Sequence, residues 1–182
     1  MLILASQSPR RRELLRREGV EFTVVVKDTA EVHDPTLSPQ VLCALNAAAK
    51  AEAVAADHPQ ATVLGADTLV FIDGTPLGKP VDEADALRML MLLQGRTHCV
   101  CTAVAVILPG GERRDFAEIS HVTFRPLSEA AARRYMQLVN VMDKAGSYAI
   151  QEHGELIIEK IEGDYDNIVG LPVSRLLQEL RR

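Results

Sequence analysis

The sequence predicts an α/β fold, a mixed β-sheet flanked by helices. Three observations carry that prediction. Apolar, strand-like runs alternate with helical patterns at both ends of the chain. Two hairpin turn signals lie in the middle, Asp73-Gly74 after a strand-like run and Pro109-Gly110-Gly111 between two long strands, so part of the sheet is antiparallel. The 182 residues are 47% hydrophobic, enough for a sizeable core in one domain spanning 1–182. With no Trp, four Phe and three Tyr, that core is aliphatic.

Each element follows from a local signal. Met1 to Ala5 is a short apolar run and reads as a buried strand. Ser8 then fits an N-cap and Pro9 the first position of a helix that runs to about Glu18, where Gly19 stops it. The β-branched run Val20 to Lys27 predicts a second strand, and the acidic, non-periodic Asp28 to Pro39 a loop. Ser38-Pro39 repeats the cap pattern before an Ala-rich helix reaching Ala56. Ala61 to Ala66 reads as a buried strand ending at Asp67, with Leu69 to Ile72 continuing it to the first hairpin turn. Pro76 to Pro80 reads as a rigid loop, and Asp82 caps a helix from Glu83 to Leu93. Thr97 to Leu108 and Asp115 to Phe124 are long strands. Ser128 caps a helix ending near Val139 to Val141. Asp143 to Gln151 is irregular, Leu156 to Ile161 a strand, Gly163 to Asn167 a polar turn, and Pro172 to Leu180 the closing helix.

Composition narrows the function classes. The net charge is −5, whereas a general nucleic-acid binder is usually basic, so no nucleic-acid partner is expected. No apolar run approaches the ~20 residues that span a bilayer, and Met1 leads into a strand without a signal-peptide pattern. Cys43, Cys99 and Cys101 lack paired spacing and read as reduced thiols of a cytoplasmic protein. The five histidines are scattered. Neither a Gly-x-x-x-x-Gly-Lys-Ser/Thr loop, a Gly-x-Gly-x-x-Gly fingerprint nor a Gly-flanked serine elbow is present.

Against the acidic background the first helix stands out. Its first turn carries Arg10, Arg11 and Arg12, where the helix dipole favours acids. An anion held between these cations and the free backbone N–H groups reconciles the two, and the small Ser6 and Ser8 leave it room. The stretch reads as a phosphate cradle, while Arg16 and Arg17 read as a solvated face. Asp67, at the expected end of a buried strand, is the best candidate for a proton acceptor or metal ligand. Asp28 and Glu31 by spacing alone read as a solvated acidic loop. That loop opens near the cradle if the second strand runs parallel to the first, and Glu31 with Asp67 would then suffice for Mg²⁺. Lys79, between Gly78 and Pro80, is a better phosphate cation than Lys50 on its Ala-rich helix.

Together these pieces resemble one family. Leu4-Ala5-Ser6-Gln7-Ser8-Pro9-Arg10-Arg11, Gly65-Ala66-Asp67-Thr68, Leu77-Gly78-Lys79-Pro80, Asp143-Lys144-Ala145-Gly146, and Gly163-Asp164-Tyr165 with Val169-Gly170-Leu171-Pro172 resemble, in order and spacing, the motifs of the Maf-like nucleoside triphosphate pyrophosphatases. The resemblance implies a twisted sheet in two lobes with the site in a cleft, like the inosine triphosphate pyrophosphatases. It implies hydrolysis of a nucleoside triphosphate to the monophosphate and pyrophosphate with a divalent cation (Mg or Mn), in a homodimer. It further implies Asp67 as proton acceptor, Arg10, Thr68 and Gln151 at positions tied to base choice, and Glu31, Lys50 and Lys79 as polar active-site residues.

The sequence therefore reads as a dTTP/UTP pyrophosphatase. Gln151 lies in an irregular stretch with little expected packing role, and its amide offers a donor and an acceptor together, matching a pyrimidine edge. The pyrimidine-type branch of the family carries Gln here and the methylated-guanosine branch Glu. Rival readings are a 7-methyl-GTP pyrophosphatase, a nucleotide-binding regulator without turnover, and a phosphatase that releases orthophosphate.

Overall fold

The structure, a computed structural model, describes residues 1–181. In chain order it runs β1 (Leu2–Leu4), α1 (Pro9–Arg17), β2 (Thr23–Val24), α2 (Pro39–Ala55), β3 (Thr62–Ile72), β4 (Thr75–Leu77), α3 (Glu83–Leu93), β5 (Thr97–Ile107), β6 (Arg113–Phe124), α4 (Glu129–Leu138), β7 (Ile158–Glu162), α5 (Tyr165–Val169) and α6 (Val173–Arg181). Short 3₁₀ turns at Ala145–Ser147 and Gly154–Leu156 lie between α4 and β7. The expected caps of α2, α3 and α4 are in place: Ser38, Asp82 and Ser128 accept hydrogen bonds from the backbone N–H groups of Val41, Asp85 and Ala131.

All seven strands form one mixed sheet in the order β2-β1-β3-β5-β6-β7, with β4 also on β3. β1 is parallel to β2 and β3, and the remaining pairs are antiparallel. β3 decides where the cleft opens. One of its edges pairs with β5 from Val63 to Phe71. Its other edge pairs with β1 at Thr62 to Leu64 and with β4 at Val70 to Ile72. Between them, residues 65–69 have no neighbouring strand on that edge.

Two lobes grow from the shared strands. In the first, α2 covers one face through Leu42, Ala47 and Ala51 on Ile3, Val63 and Ala103, while α1 and α6 cover the other through Leu15 and Leu176 on Leu64 and Val104. In the second, Leu90 and Leu93 of α3 and Ala132 and Tyr135 of α4 pack on Val70, Val100 and Phe124. The core is aliphatic, as expected, and among the described residues no helix is long and apolar enough to cross a membrane.

Four expectations need correction. β2 is two residues long rather than eight, because β1 offers it only a short ladder and the chain then leaves the sheet. Asp67 is in the middle of an eleven-residue strand rather than at its end, because β5 pairs on through it to Phe71. Thr75–Leu77 forms β4, which takes in the first two residues of the expected rigid loop Pro76 to Pro80. The expected polar turn at 163–167 instead leads into α5 (Tyr165–Val169), which Asp164 starts by accepting the Asp166 N–H.

Candidate active site

The open edge of β3 forms the floor of a cleft of about 950 Å³. Side chains alternate along a strand, so Asp67 faces α2 while Thr68 faces α1. What brings α2 close to Asp67 is Gly65. A Cβ there would lie 2.3 Å from the Ala47 carbonyl oxygen and 2.8 Å from the Ala51 nitrogen, so only glycine lets the helix backbone rest on the strand. Lys50, on the same helix, then donates to Asp67 Oδ1 at 2.6 Å and to Glu31 Oε1 at 2.8 Å. One ammonium thus gathers both carboxylates expected to bind metal. Its hydrogen bond to Glu31 holds that carboxyl below the usual range, against the opposing effect of partial burial.

Asn46 is a residue that sequence reasoning missed. Its Oδ1 accepts the Val32 N–H at 2.8 Å, and its Nδ2 donates to the Val32 carbonyl at 3.2 Å, so one amide clamps the loop beside Glu31. Nδ2 also lies 3.4 Å from Asp67 Oδ2. The available signal was its spacing: Asn46 sits one turn before Lys50 on an otherwise apolar helix face.

The opposite wall is the start of α1. Ser8 occupies the N-cap position but makes no side-chain cap, and no acid lies in the first turn, so the helix presents unsatisfied N–H groups. Arg10 is partly exposed at the cleft, with Asp143 as a partner 3.5 Å away. Arg11 departs from the expected free phosphate ligand. Its Nε donates to the Gly170 carbonyl at 2.8 Å, NH1 to Ser6 Oγ at 3.0 Å and NH2 to Thr68 Oγ1 at 2.9 Å. It is a buried strut tying α1 to β3 and to the end of α5, and its charge lies beneath the cradle rather than in it. Ser6 Oγ also accepts the Ser8 N–H, so both its lone pairs are used and its proton is free to be donated into the cleft. Thr68 hydrogen-bonds Thr102 at 2.9 Å as well, which makes it part of the same strut.

Lys79 follows β4 and is exposed at the cleft, with no ion-pair partner within 4.0 Å among the described residues. Its loop is bonded to the stretch that carries Gln151: Gly146 N donates to the Gly78 carbonyl at 3.0 Å. Contrary to expectation, this stretch does pack. Ser147, Tyr148 and Ala149 are buried, Tyr148 OH bonds His98 Nε2 at 2.7 Å, and Lys144 Nζ donates to Asp143 and Asn140 and pairs with Glu152. Burial opposes ionisation of Asp143, but the Lys144 hydrogen bond and the charges of Lys144 and Arg10 outweigh it and hold the carboxyl low. Gln151 itself is exposed on the cleft and has no hydrogen-bond partner among the described residues.

The donor set suits a hard divalent cation. Asp67 and Glu31 supply two carboxylates, and no cluster of three or more His, Cys, Asp or Glu among the described residues offers a full protein cage. Mg²⁺ takes one or two carboxylates and fills its shell with water and phosphate oxygens.

The profile of the Maf family, described as "Maf-like protein", matches residues 1–182. This chain belongs to the Maf-like family. A Maf-like relative in Akkermansia muciniphila, named dTTP/UTP pyrophosphatase, is 58% identical over 177 residues, 97% of this chain and 93% of its own. Another of that name in Deinococcus radiodurans is 48% identical over 180 residues, 99% of this chain and 91% of its own. The solved structure of the Staphylococcus aureus Ham1 protein, 15% identical, matches with a TM-score of 0.57 over 100% of this chain and 99% of that one. The likeness to Ham1 shows that the Maf-like fold here is the mixed α/β architecture expected.

Proposed function

We propose that this protein hydrolyses nucleoside triphosphates between the α and β phosphorus, with dTTP and UTP preferred, releasing the monophosphate and pyrophosphate. The observation that carries the reading is the juxtaposition of two walls. Asp67, Glu31 and Lys50 form a charge cluster on one side, and an uncapped, cationic helix start stands on the other. The names of the relatives agree with it.

In this reading the triphosphate lies along the N-terminus of α1, with Arg10 and Lys79 on its oxygens and the Ser6 hydroxyl donating to it. Lys50 Nζ occupies Asp67 Oδ1, which leaves Oδ2, with only a 3.4 Å contact from Asn46, to take the proton of the attacking water. Charge spreads over phosphate oxygens in such transfers, so fixed cations do most of the stabilising. A divalent metal held by Asp67 and Glu31 would neutralise part of the phosphate charge. The exposed amide of Gln151 pairs with the adjacent carbonyl and N–H of a pyrimidine. A cytoplasmic location fits the three unpaired cysteines, and a homodimer, implied by the resemblance, completes the reading.

The test is a panel of ordinary and modified triphosphates with products identified by chromatography. Pyrophosphate and monophosphate from dTTP and UTP are expected. Orthophosphate as the first product, or a preference for 7-methyl-GTP, refutes the assignment. Activity that survives excess chelator refutes the metal.

A further inference from the structure

We propose that Tyr135 sets the pyrimidine preference by fixing the backbone on either side of Gln151. The inference rests on the reading of Gln151 as the base-reading residue. Tyr135 lies on α4 and is wholly buried. Its hydroxyl accepts the Ala149 N–H at 3.1 Å and lies 3.2 Å from the Ala149 carbonyl and 3.3 Å from the Glu152 carbonyl. A hydroxyl carries one proton and two lone pairs, so Tyr135 accepts from Ala149 N and shares its proton between the two carbonyls. These contacts bracket Gln151, two residues before it and one after.

The bracket matters because residues 148–152 belong to no strand or helix. Their backbone groups have no ladder to satisfy them, and the phenol stands in for one. Other anchors hold the segment upstream: Gly146 N on Gly78 O, Ser147 Oγ on Met89 Sδ, and Tyr148 OH on His98. Beyond Ala149, the Ile150 side chain packs against the core and Lys144 pairs with the half-exposed Glu152 side chain, but neither contact satisfies a backbone polar group. Gln151 has no side-chain partner among the described residues, so its amide stands wherever this backbone puts it. Two-point recognition of a base edge tolerates only about 0.5 Å of error. Tyr135 therefore acts on base choice through position, without touching substrate.

The experiment is a double-mutant cycle with Tyr135→Phe and Gln151→Ala, measuring kcat and KM for dTTP and for GTP. Phe keeps the ring and removes only the hydroxyl. The expected result is a fall of about tenfold in the dTTP/GTP ratio of kcat/KM in Tyr135→Phe, carried by KM for dTTP, and no further fall when Gln151 is already Ala. Equal losses on both nucleotides, or an additional loss in the Gln151→Ala background, overturn the inference. A Gln151→Ala enzyme with the wild-type ratio overturns the base reading itself, a different outcome. Hydrogen exchange gives a measure that needs no variant. In the wild type the Ala149 amide is expected to exchange far more slowly than that of Gln151, and equal rates overturn the bracket.

Discussion

Gly65→Ala is a perturbation that removes no functional group yet is expected to disable the site. The added Cβ would lie 2.3 Å from the Ala47 carbonyl oxygen, 2.8 Å from the Ala51 nitrogen and 2.9 Å from the Ala51 Cβ. None of these atoms can turn away, since two are helix backbone and the third is fixed to it. β3 cannot yield either, because β5 grips it on one edge along its length and β1 on the other at Thr62 to Leu64. The helix must therefore retreat by about 1 Å, and overpacking of this kind costs about 1–3 kcal/mol. At ~2–4 °C per kcal/mol for a chain of this size, the melting temperature falls by several degrees. The same retreat carries Asn46 and Lys50 away from Asp67 and loosens the clamp on Val32. A misplacement of about 1 Å can cost on the order of 10²-fold in rate. A thermal melt and kcat/KM for dTTP, measured well below the transition, separate the two effects. Wild-type kcat/KM in a destabilised Gly65→Ala protein would refute the claim that this glycine positions the catalytic cluster. An unchanged melt would refute the steric argument altogether.

Other consequences are equally direct. Asp67→Asn is expected to lower kcat by about 10²–10⁴-fold while the protein stays folded, checked by steady-state kinetics beside circular dichroism. Arg10→Ala and Lys79→Ala should each weaken kcat/KM by the equivalent of about 1.5–3 kcal/mol with little change in melting temperature, since Arg10 loses only a partly exposed 3.5 Å ion pair with Asp143 and Lys79 has no ion-pair partner among the described residues; a large drop in the melt would remove them from the phosphate site. His98 supplies a pH signature. Burial depresses its pKa from the ordinary 6.5 to about 4, so between those values the unfolded chain binds a proton that the folded chain refuses. Stability is then full above about pH 6.5 and declines by roughly 3 kcal/mol as pH falls towards 4. Urea unfolding of wild type and His98→Phe across pH 4.5 to 7 isolates this slope from the titration of carboxylates. Parallel curves for the two proteins would show that His98 contributes none of it.

The helices were legible because their signals are local. Ser38, Asp82 and Ser128 each satisfy a backbone N–H three residues on, which needs nothing from the rest of the chain. Strand extents were less so, because a strand is as long as its partners allow. Val24, Val25 and Val26 have every propensity for a strand, yet β2 stops where the three-residue β1 runs out. Asp67 looked like an end because a polar residue followed an apolar run. What the sequence does not display is that β5 pairs straight through it while the opposite edge changes from β1 to β4.

The site divides along the same line. The types of residue it needs could be read from the chain: cations at the wrong end of a helix dipole, a carboxylate among apolar neighbours, a lysine between glycine and proline. Their division of labour depends on contacts between distant segments. Nothing near Arg11 distinguishes it from Arg10, but Gly170, 159 residues away, and Thr68 take its guanidinium out of the cleft and leave Arg10 partly exposed on its wall. Nothing near Gln151 reports that Tyr135 and His98 hold the segment that presents it. The open edge of β3 links both cases. A strand whose partner changes in mid-course leaves a gap where its side chains still alternate, one towards α2 and the next towards α1. Consecutive residues, Asp67 and Thr68, therefore serve opposite walls of one cleft, the first bound to Lys50 of α2 and proposed for acid–base chemistry, the second bound to Arg11 of α1 in the framework of the proposed phosphate cradle.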